Sequence, residues 1–89
     1  MNHSVAYTSI TKAQVRAARG LLYWRQHDLA ERAGISQRTV MKLERGNGPL
    51  SVQRGTLQGI LRSFSDAGVS MVNQDGAIGV VFASAGGGE

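Results

Sequence analysis

Apolar residues recur along this chain at two different periods, and the change falls near residue 68. From Thr11 the spacing is helical. Val15, Ala18 and Leu22, with Leu21 beside them, predict a first helix over about 12–22. Thr11 and Gln14 make a capping-box pair at its start, the hydroxyl taking one backbone donor and the amide reaching back to another. Gly20 weakens its last turn. Leu29, Ala30 and Ala33 predict a short second helix from near Gln26. Gly34 ends it, because the position just past a helix often takes a positive φ. Ser36 is the N-cap of a third helix with Val40 and Leu43 inward. Gly46 closes that helix, and Asn47-Gly48-Pro49 is a turn. Thr56 caps a fourth helix whose Leu57, Ile60, Leu61 and Phe64 form one apolar stripe, ended by Gly68.

Beyond Gly68 the period shortens. Residues 69–72 and 78–82 read as strands around Asp75-Gly76, a strong hairpin signal. A two-residue turn there sets Met71 opposite Val80, Val69 opposite Phe82 and Asn73 opposite Ile78. One face then collects Val69, Met71, Ile78, Val80 and Phe82, and a register that sorts apolar residues in this way supports itself. Residues 1–10 are mixed and polar and read as a flexible N-terminal arm. Residues 83–89 are small and Gly-rich and read as a disordered tail. The expected organisation is therefore an arm over 1–10, a helical domain over 11–68, a hairpin over 69–82 and a tail over 83–89.

Composition narrows the picture. Eighty-nine residues with 42% hydrophobic content make one small core, marginal enough that a dimer would help. The net charge is +4, and its distribution says more than its total. All ten Lys/Arg lie between Lys12 and Arg62 with only Asp28, Glu31 and Glu44 as acids, a net of +7. The remainder, through Asp66, Asp75 and Glu89, carries −3. A basic body of this kind suits a polyanion, nucleic acid first. The absence of cysteine excludes a disulfide, a thiol nucleophile and a thiolate metal site, and fits a reducing compartment. The apolar runs are too short to span a membrane, and residues 1–10 lack the pattern of a secretory signal. A core this small does not comfortably enclose a deep catalytic pocket, so an enzyme is not expected.

Residues 26–44, QHDLAERAGISQRTVMKLE, carry the most information. Two short helices flank a turn of about three residues, which is helix-turn-helix spacing. Ala30 is small where the helices cross closely. Gly34 supplies the turn conformation. Ile35 plugs the turn into the core. Val40 and Leu43 hold the third helix inward, which leaves Gln37, Arg38, Thr39, Met41 and Lys42 outside.

Over about residues 11–67 the chain resembles the lambda-repressor-like (Xre-type) helix-turn-helix regulators. The resemblance is carried by Ala17-Ala18-Arg19, Leu21-Leu22, Trp24, Gln26, the run from Leu29 to Ser36, Thr39-Val40, Leu43-Glu44 and Gly46. Pro49, Thr56-Leu57, Ile60 and Ala67-Gly68-Val69 continue it, similar to short bacterial members that end in a small β element. It implies a mainly α fold, a four-helix DNA-binding domain with a C-terminal β-hairpin. It implies that the third helix enters the major groove, with Gln37, Arg38 and Lys42 at base-contacting positions. Arg38 suits a guanine edge and Gln37 an adenine, each worth ~1–3 kcal/mol of discrimination. Gln26 falls on a position that anchors phosphate at a helix N-terminus. Thr39 and Asn47 fall near the DNA backbone. Arg19 and Glu44 match a partly buried, architectural ion pair. The segment between Gly46 and Thr56 is longer than in the short members, and Arg45, Ser51 and Arg54 are its candidates for phosphate contact. Met41 is apolar where many relatives are polar; it either meets a thymine methyl or is tolerated.

Other residues have plainer readings. Trp24 reads as a wedge between the first two helices, with Tyr23 partly exposed. His3 and His27 are far apart in sequence and lack Cys partners, so no metal is expected. Asp28 and Glu31 read as solvated charges suited to a helix start. Ser36 is a cap, and neither the Gly46-Asn47-Gly48 turn nor the Gly86-Gly87-Gly88 run has the context of a phosphate loop. Two strands alone are marginal in water, so the hairpin's apolar face must be covered. Its apolar face is covered by its own helices, by a second subunit, or by both, and Val69, Met71, Val80 and Phe82 are the candidate dimer contacts.

The resulting expectation is a cofactor-free, cytoplasmic, nucleoid-associated regulator of transcription. It binds double-stranded DNA as a homodimer. The alternative is a protein-interaction module, an antitoxin or anti-activator, that keeps the helix-turn-helix as a scaffold and contacts a protein partner.

Overall fold

A computed structural model describes residues 5–6 and 10–83. The elements follow in the order β1 (Val5–Ala6), α1 (Lys12–Leu22), α2 (Gln26–Ala33), α3 (Gln37–Glu44), β2 (Val52–Gln53), α4 (Arg54–Asp66), β3 (Val69–Gln74) and β4 (Ala77–Phe82). The described residues are therefore mainly helical, with four helices and a C-terminal antiparallel hairpin.

Local chemistry explains the helix ends. The Thr11 hydroxyl accepts the Gln14 N–H at 3.1 Å and Gln14 Oε1 accepts the Thr11 N–H at 2.9 Å, a complete capping box. Ser36 Oγ accepts the Thr39 N–H at 3.0 Å and starts α3. Gly34 closes α2 at φ 72°, in the left-handed region that glycine enters without a Cβ clash. The end of α1 was not foreseen in this form. Tyr23, not a glycine, takes φ 57° there, and its N–H turns back onto the carbonyls of Arg19 and Gly20.

The core is one cluster that includes Val15 and Ala18 of α1, Leu29 and Ala30 of α2, Val40 and Leu43 of α3, and Leu57, Ile60 and Phe64 of α4. Trp24 stacks on Phe64 with ring centroids 5.7 Å apart, and the Arg32 guanidinium lies 4.5 Å over the Trp24 ring. Trp24 thus wedges against α4, beyond the α1–α2 position that its place in the chain suggested. The approach of α2 to α4 is close. A Cβ on Gly59 would lie 3.0 Å from the Ala33 carbonyl oxygen.

Two further differences from the sequence reading have backbone causes. Ile10, placed within the expected arm, is buried, because its carbonyl accepts the Leu50 N–H at 2.8 Å and brings Leu50 into the core with it. Residues 5 and 6 pair antiparallel with 53 and 52. The rest of the expected arm, His3 included, and tail residues 84–89 lie outside the described residues. α4 begins at Arg54, not after Thr56, because β2 runs directly into it with Gln53 as the N-cap residue.

The hairpin has the register that its two-residue turn predicts: Val69 opposite Phe82, Met71 opposite Val80 and Asn73 opposite Ile78. Asp75 and Gly76 both have positive φ, 53° and 82°, as the favoured hairpin turn requires. The apolar face is only partly covered. Val69 is buried, and Met71 and Val80 pack on the core. Ile78 remains 56% exposed and Phe82 45% exposed. α1 lies against β4 and α4 against β3, and this cover stops short of those two side chains. One buried amide fastens the hairpin to α1. Gln14 Nε2 donates to the Gly79 carbonyl at 2.8 Å, the Val72 carbonyl at 3.2 Å and Asn73 Oδ1 at 3.1 Å.

Candidate nucleic-acid interface

The turn between α2 and α3 sets the site. After Gly34, the Ile35 N–H returns to the Ala30 carbonyl at 3.0 Å, and Ile35 packs against the core. Ser36 then launches α3 with Val40 and Leu43 inward. Gln37, Arg38, Met41 and Lys42 stand on the solvent side. These four and Arg45 line one hollow. No carboxylate lines it, so the charged side chains on its lining, Arg38, Lys42 and Arg45, are all cations.

A second hollow adjoins the first through Met41 and Arg45, and adds Arg16, Arg19, Gln26 and Glu44. Here the charges are paired. Arg19 Nε lies 2.7 Å from Glu44 Oε2 and its Nη2 lies 2.8 Å from Oε1, a two-point bond. Glu44 is buried, and Gln26 Nε2 also donates to its Oε1 at 3.2 Å. The first residue of α2 is thus tied to the last residue of α3 through one carboxylate. Among the described residues no buried side-chain polar atom lacks a partner, so this network is closed.

Two cations that the sequence reading left without a role complete the frame. Arg16 Nη1 donates to the carbonyls of Glu44 and Gly46, the latter at 2.8 Å. Lys12 Nζ donates to the Arg45 carbonyl at 3.1 Å. Lys12, Arg16 and Arg19 lie on one face of α1 at positions i, i+4 and i+7. They meet the C-terminal end of α3, where unpaired carbonyls and the helix dipole favour positive charge. The spacing was visible in the sequence; its target was not, because the target is made by α3 and the turn after it.

The remaining candidates are placed less closely. The Thr39 hydroxyl is bonded to that of Ser36 at 2.8 Å, at the start of α3. Asn47 is exposed in the turn that α1 holds through the carbonyls of Gly46 and Gly48. Ser51 and Arg54 are exposed but line neither hollow. Of the four candidate dimer contacts, Val69 is 2% exposed and spent inside its own chain. Met71 and Val80 are half-buried, which leaves Phe82 as the exposed one.

At the start of α2, Asp28 Oδ2 accepts the Arg25 N–H at 2.8 Å and sits 3.5 Å from Arg25 Nε. The backbone bond first, and the guanidinium second, hold its carboxyl below the ordinary value. His27 lies 3.8 Å from Glu31 on the exposed side of α2. Among the described residues no group of three or more metal-ligating side chains occurs, and no helix is long and apolar enough to cross a membrane.

Comparison with known proteins agrees with this geometry. A family model described as helix-turn-helix matches residues 15–60, more than half of the chain, from within α1 into α4. No curated protein matches the chain significantly.

Proposed function

The chain belongs to the Xre-type (lambda-repressor-like) helix-turn-helix family, and from that membership we propose that it is a sequence-specific regulator of transcription. It acts in the nucleoid, where its dimer occupies a two-fold operator. α3 enters the major groove of double-stranded DNA. Arg38 reads a guanine edge, Gln37 an adenine, and Lys42 a neighbouring base. Gln26, Thr39, Arg45 and Asn47 hold phosphates, with Ser51 and Arg54 extending that contact, and so set the register of α3 on the duplex. Two such helices sit in successive grooves about 34 Å apart. Occupancy near a promoter then excludes or recruits polymerase.

The observation that carries this reading is the outward face of α3. Gln37, Arg38, Met41 and Lys42 are exposed together beside Arg45, while Glu44, in the adjoining hollow, is buried and bonded to Arg19. The test is selection of bound duplexes from a random pool, followed by titration of the winner at two salt concentrations. The expected product is a two-fold-symmetric site bound far more tightly than random DNA at both salts. Weak, sequence-blind binding that disappears at the higher salt overturns the proposal, because it is the signature of charge attraction alone. That outcome favours the second reading, a protein-interaction module, for which the exposed Ile78, Val81 and Phe82 offer a contact surface.

A further inference from the structure

We propose that the outer edge of β4 pairs with the same edge of a second copy of this chain. Two hairpins then form one four-stranded antiparallel sheet about a two-fold axis. This deepens the dimeric part of the reading above and uses none of the α3 side chains.

The phase of the ladder shows which backbone groups are open. The Ala83 N–H donates to the Gly68 carbonyl at 2.8 Å, and Val69 stands opposite Phe82. Mutually bonded pairs alternate along an antiparallel ladder. Ser70 with Val81, Val72 with Gly79 and Gln74 with Ala77 are therefore bonded pairs. The N–H and C=O of Ile78, Val80 and Phe82 point away from β3, and none has a hydrogen-bond partner among the described residues. Residues 77–83 carry no charge and no proline, and the register runs without a bulge. Those are the devices by which natural edge strands avoid pairing. Ile78, Val81 and Phe82, 56%, 52% and 45% exposed, all lie on this one strand.

Symmetry then selects a register. An antiparallel pairing centred on Val80 engages all three outward residues of both copies. Val80 meets Val80, and Ile78 of each copy meets Phe82 of the other. Val81 falls opposite Gly79 of the other copy, where the missing side chain leaves space. One alignment covers all three exposed apolar side chains, and no charge meets a like charge. A different protein would need a strand matched to this edge, whereas β4 already matches itself. Five strand residues a side, 78–82, are well short of the ~20–30 of a standard interface, so the free dimer is weak and concentration-dependent.

The test is sedimentation of the full chain over a concentration series, without DNA. The wild type is expected to dimerise. I78K or F82E alone should weaken dimerisation at least ~tenfold, because each sets a charge against an apolar partner at both ends of the ribbon. An equimolar mixture of the two variants, and the double variant I78K/F82E, should recover it, since the new cation of one copy then meets the new carboxylate of the other. Ile78→Pro should also weaken it, removing an outward N–H while the ladder inside the hairpin stays intact. Circular dichroism of each variant confirms the fold. A wild type that stays monomeric, or single variants that dimerise like it, overturns the proposal. Single variants that weaken without recovery in the mixture or double variant overturn the register. DNA is absent throughout, so failure here leaves the reading of α3 standing, and failure of operator selection leaves this inference standing.

Discussion

The outward face of α3 and the outer edge of β4 are both left open by the fold, and they differ in what lies on them and behind them. α3 presents Gln37, Arg38 and Lys42. Behind it stands a closed polar network in which Lys12, Arg16 and Arg19 hold its C-terminal end. β4 presents Ile78 and Phe82 beside the packed Val69, Met71 and Val80, with Val81 on its other face, and is fastened through the Gln14 amide. A charged surface stays comfortable in water and attracts a polyanion at a distance, with a strength that salt screens. An apolar edge gains only on contact, and salt barely changes that gain. Raising the salt concentration is therefore the first way to separate the two. Binding of the selected duplex should fall by decades between low and moderate salt, while the monomer–dimer constant measured without DNA should hardly move. A dimer constant that falls in parallel with DNA binding would place charge at the subunit contact and break the comparison.

The largest effect of a single substitution is expected where the polar network is deepest. Glu44→Ala removes both carboxylate bonds of Arg19 and the bond to Gln26 together. Stranding one partner of a buried pair costs about 3 kcal/mol at the low end of the usual range. The low end applies because the Arg19 side chain keeps 19% exposure and its bond to the Trp24 carbonyl. Urea unfolding reads this directly. A loss below about 1 kcal/mol would show that α3 is held by its apolar contacts, Val40 and Leu43, and that the network is dispensable.

Arg38→Ala comes next and acts on binding alone. Loss of a two-point contact to a guanine removes ~1–3 kcal/mol of discrimination at one base position, a factor of about 5 to 150. Competition between the selected site and its single-base variants measures it. Stability and dimerisation should be unchanged, since Arg38 is exposed on α3 and distant from β4 in the chain. A uniform loss across all sequences, with no relaxation at one base, would make Arg38 a phosphate contact instead.

How much of this was legible in the sequence depends on the range of the interaction. Contacts within a few residues were readable: the Thr11–Gln14 box, the Ser36 cap, the left-handed Gly34 and the hairpin register around Asp75-Gly76. The outward set on α3 was readable for the same reason, since helical period alone separates Val40 and Leu43 from Arg38 and Lys42. Burial that depends on distant partners was not. Ile10 enters the core because it pairs with Leu50, forty residues on, and nothing near Ile10 announces this. Ile78 and Phe82 follow the period of the buried face but lie past the cover of α1 and α4. Gln14 was read as half of a cap, while its other bonds run to the hairpin. Lys12 and Arg16 were counted as net charge, and their carbonyl targets exist only once α3 and its following turn are folded.

Gln14→Leu tests the backing of β4 and should cost about 1 kcal/mol. The loss is modest for a buried amide because the Val72 and Gly79 carbonyls already bond each other's strands, so neither is stranded. Thr11 loses the return bond of its box. Hydrogen exchange should quicken in β3 and β4 while the sequence preference of DNA binding stays fixed. Faster exchange spreading equally through α3 would mean that the two surfaces share one cooperative unit.

The smallest effect belongs to Asp28, and its pH dependence has a definite sign. The Arg25 N–H and guanidinium lower the Asp28 pKa in the folded chain below its ordinary 3.8. A lowered folded pKa means that the charged carboxylate stabilises the fold at pH values above 3.8, and that this contribution fades as pH falls from there through the folded value. Asp28→Asn keeps an oxygen for the Arg25 N–H but never carries the charge. Wild type should therefore be slightly more stable than the variant at neutral pH, and the difference should shrink to nothing in acid. The Arg25 guanidinium is 78% exposed and the Asp28 side chain 29%, so solvent screens most of the interaction and the gap is the least of the series. Thermal unfolding of both proteins from pH 7 downward measures the gap. A gap that widens in acid would mean that the backbone bond prefers the neutral carboxyl, and that α2 begins on something other than this charge.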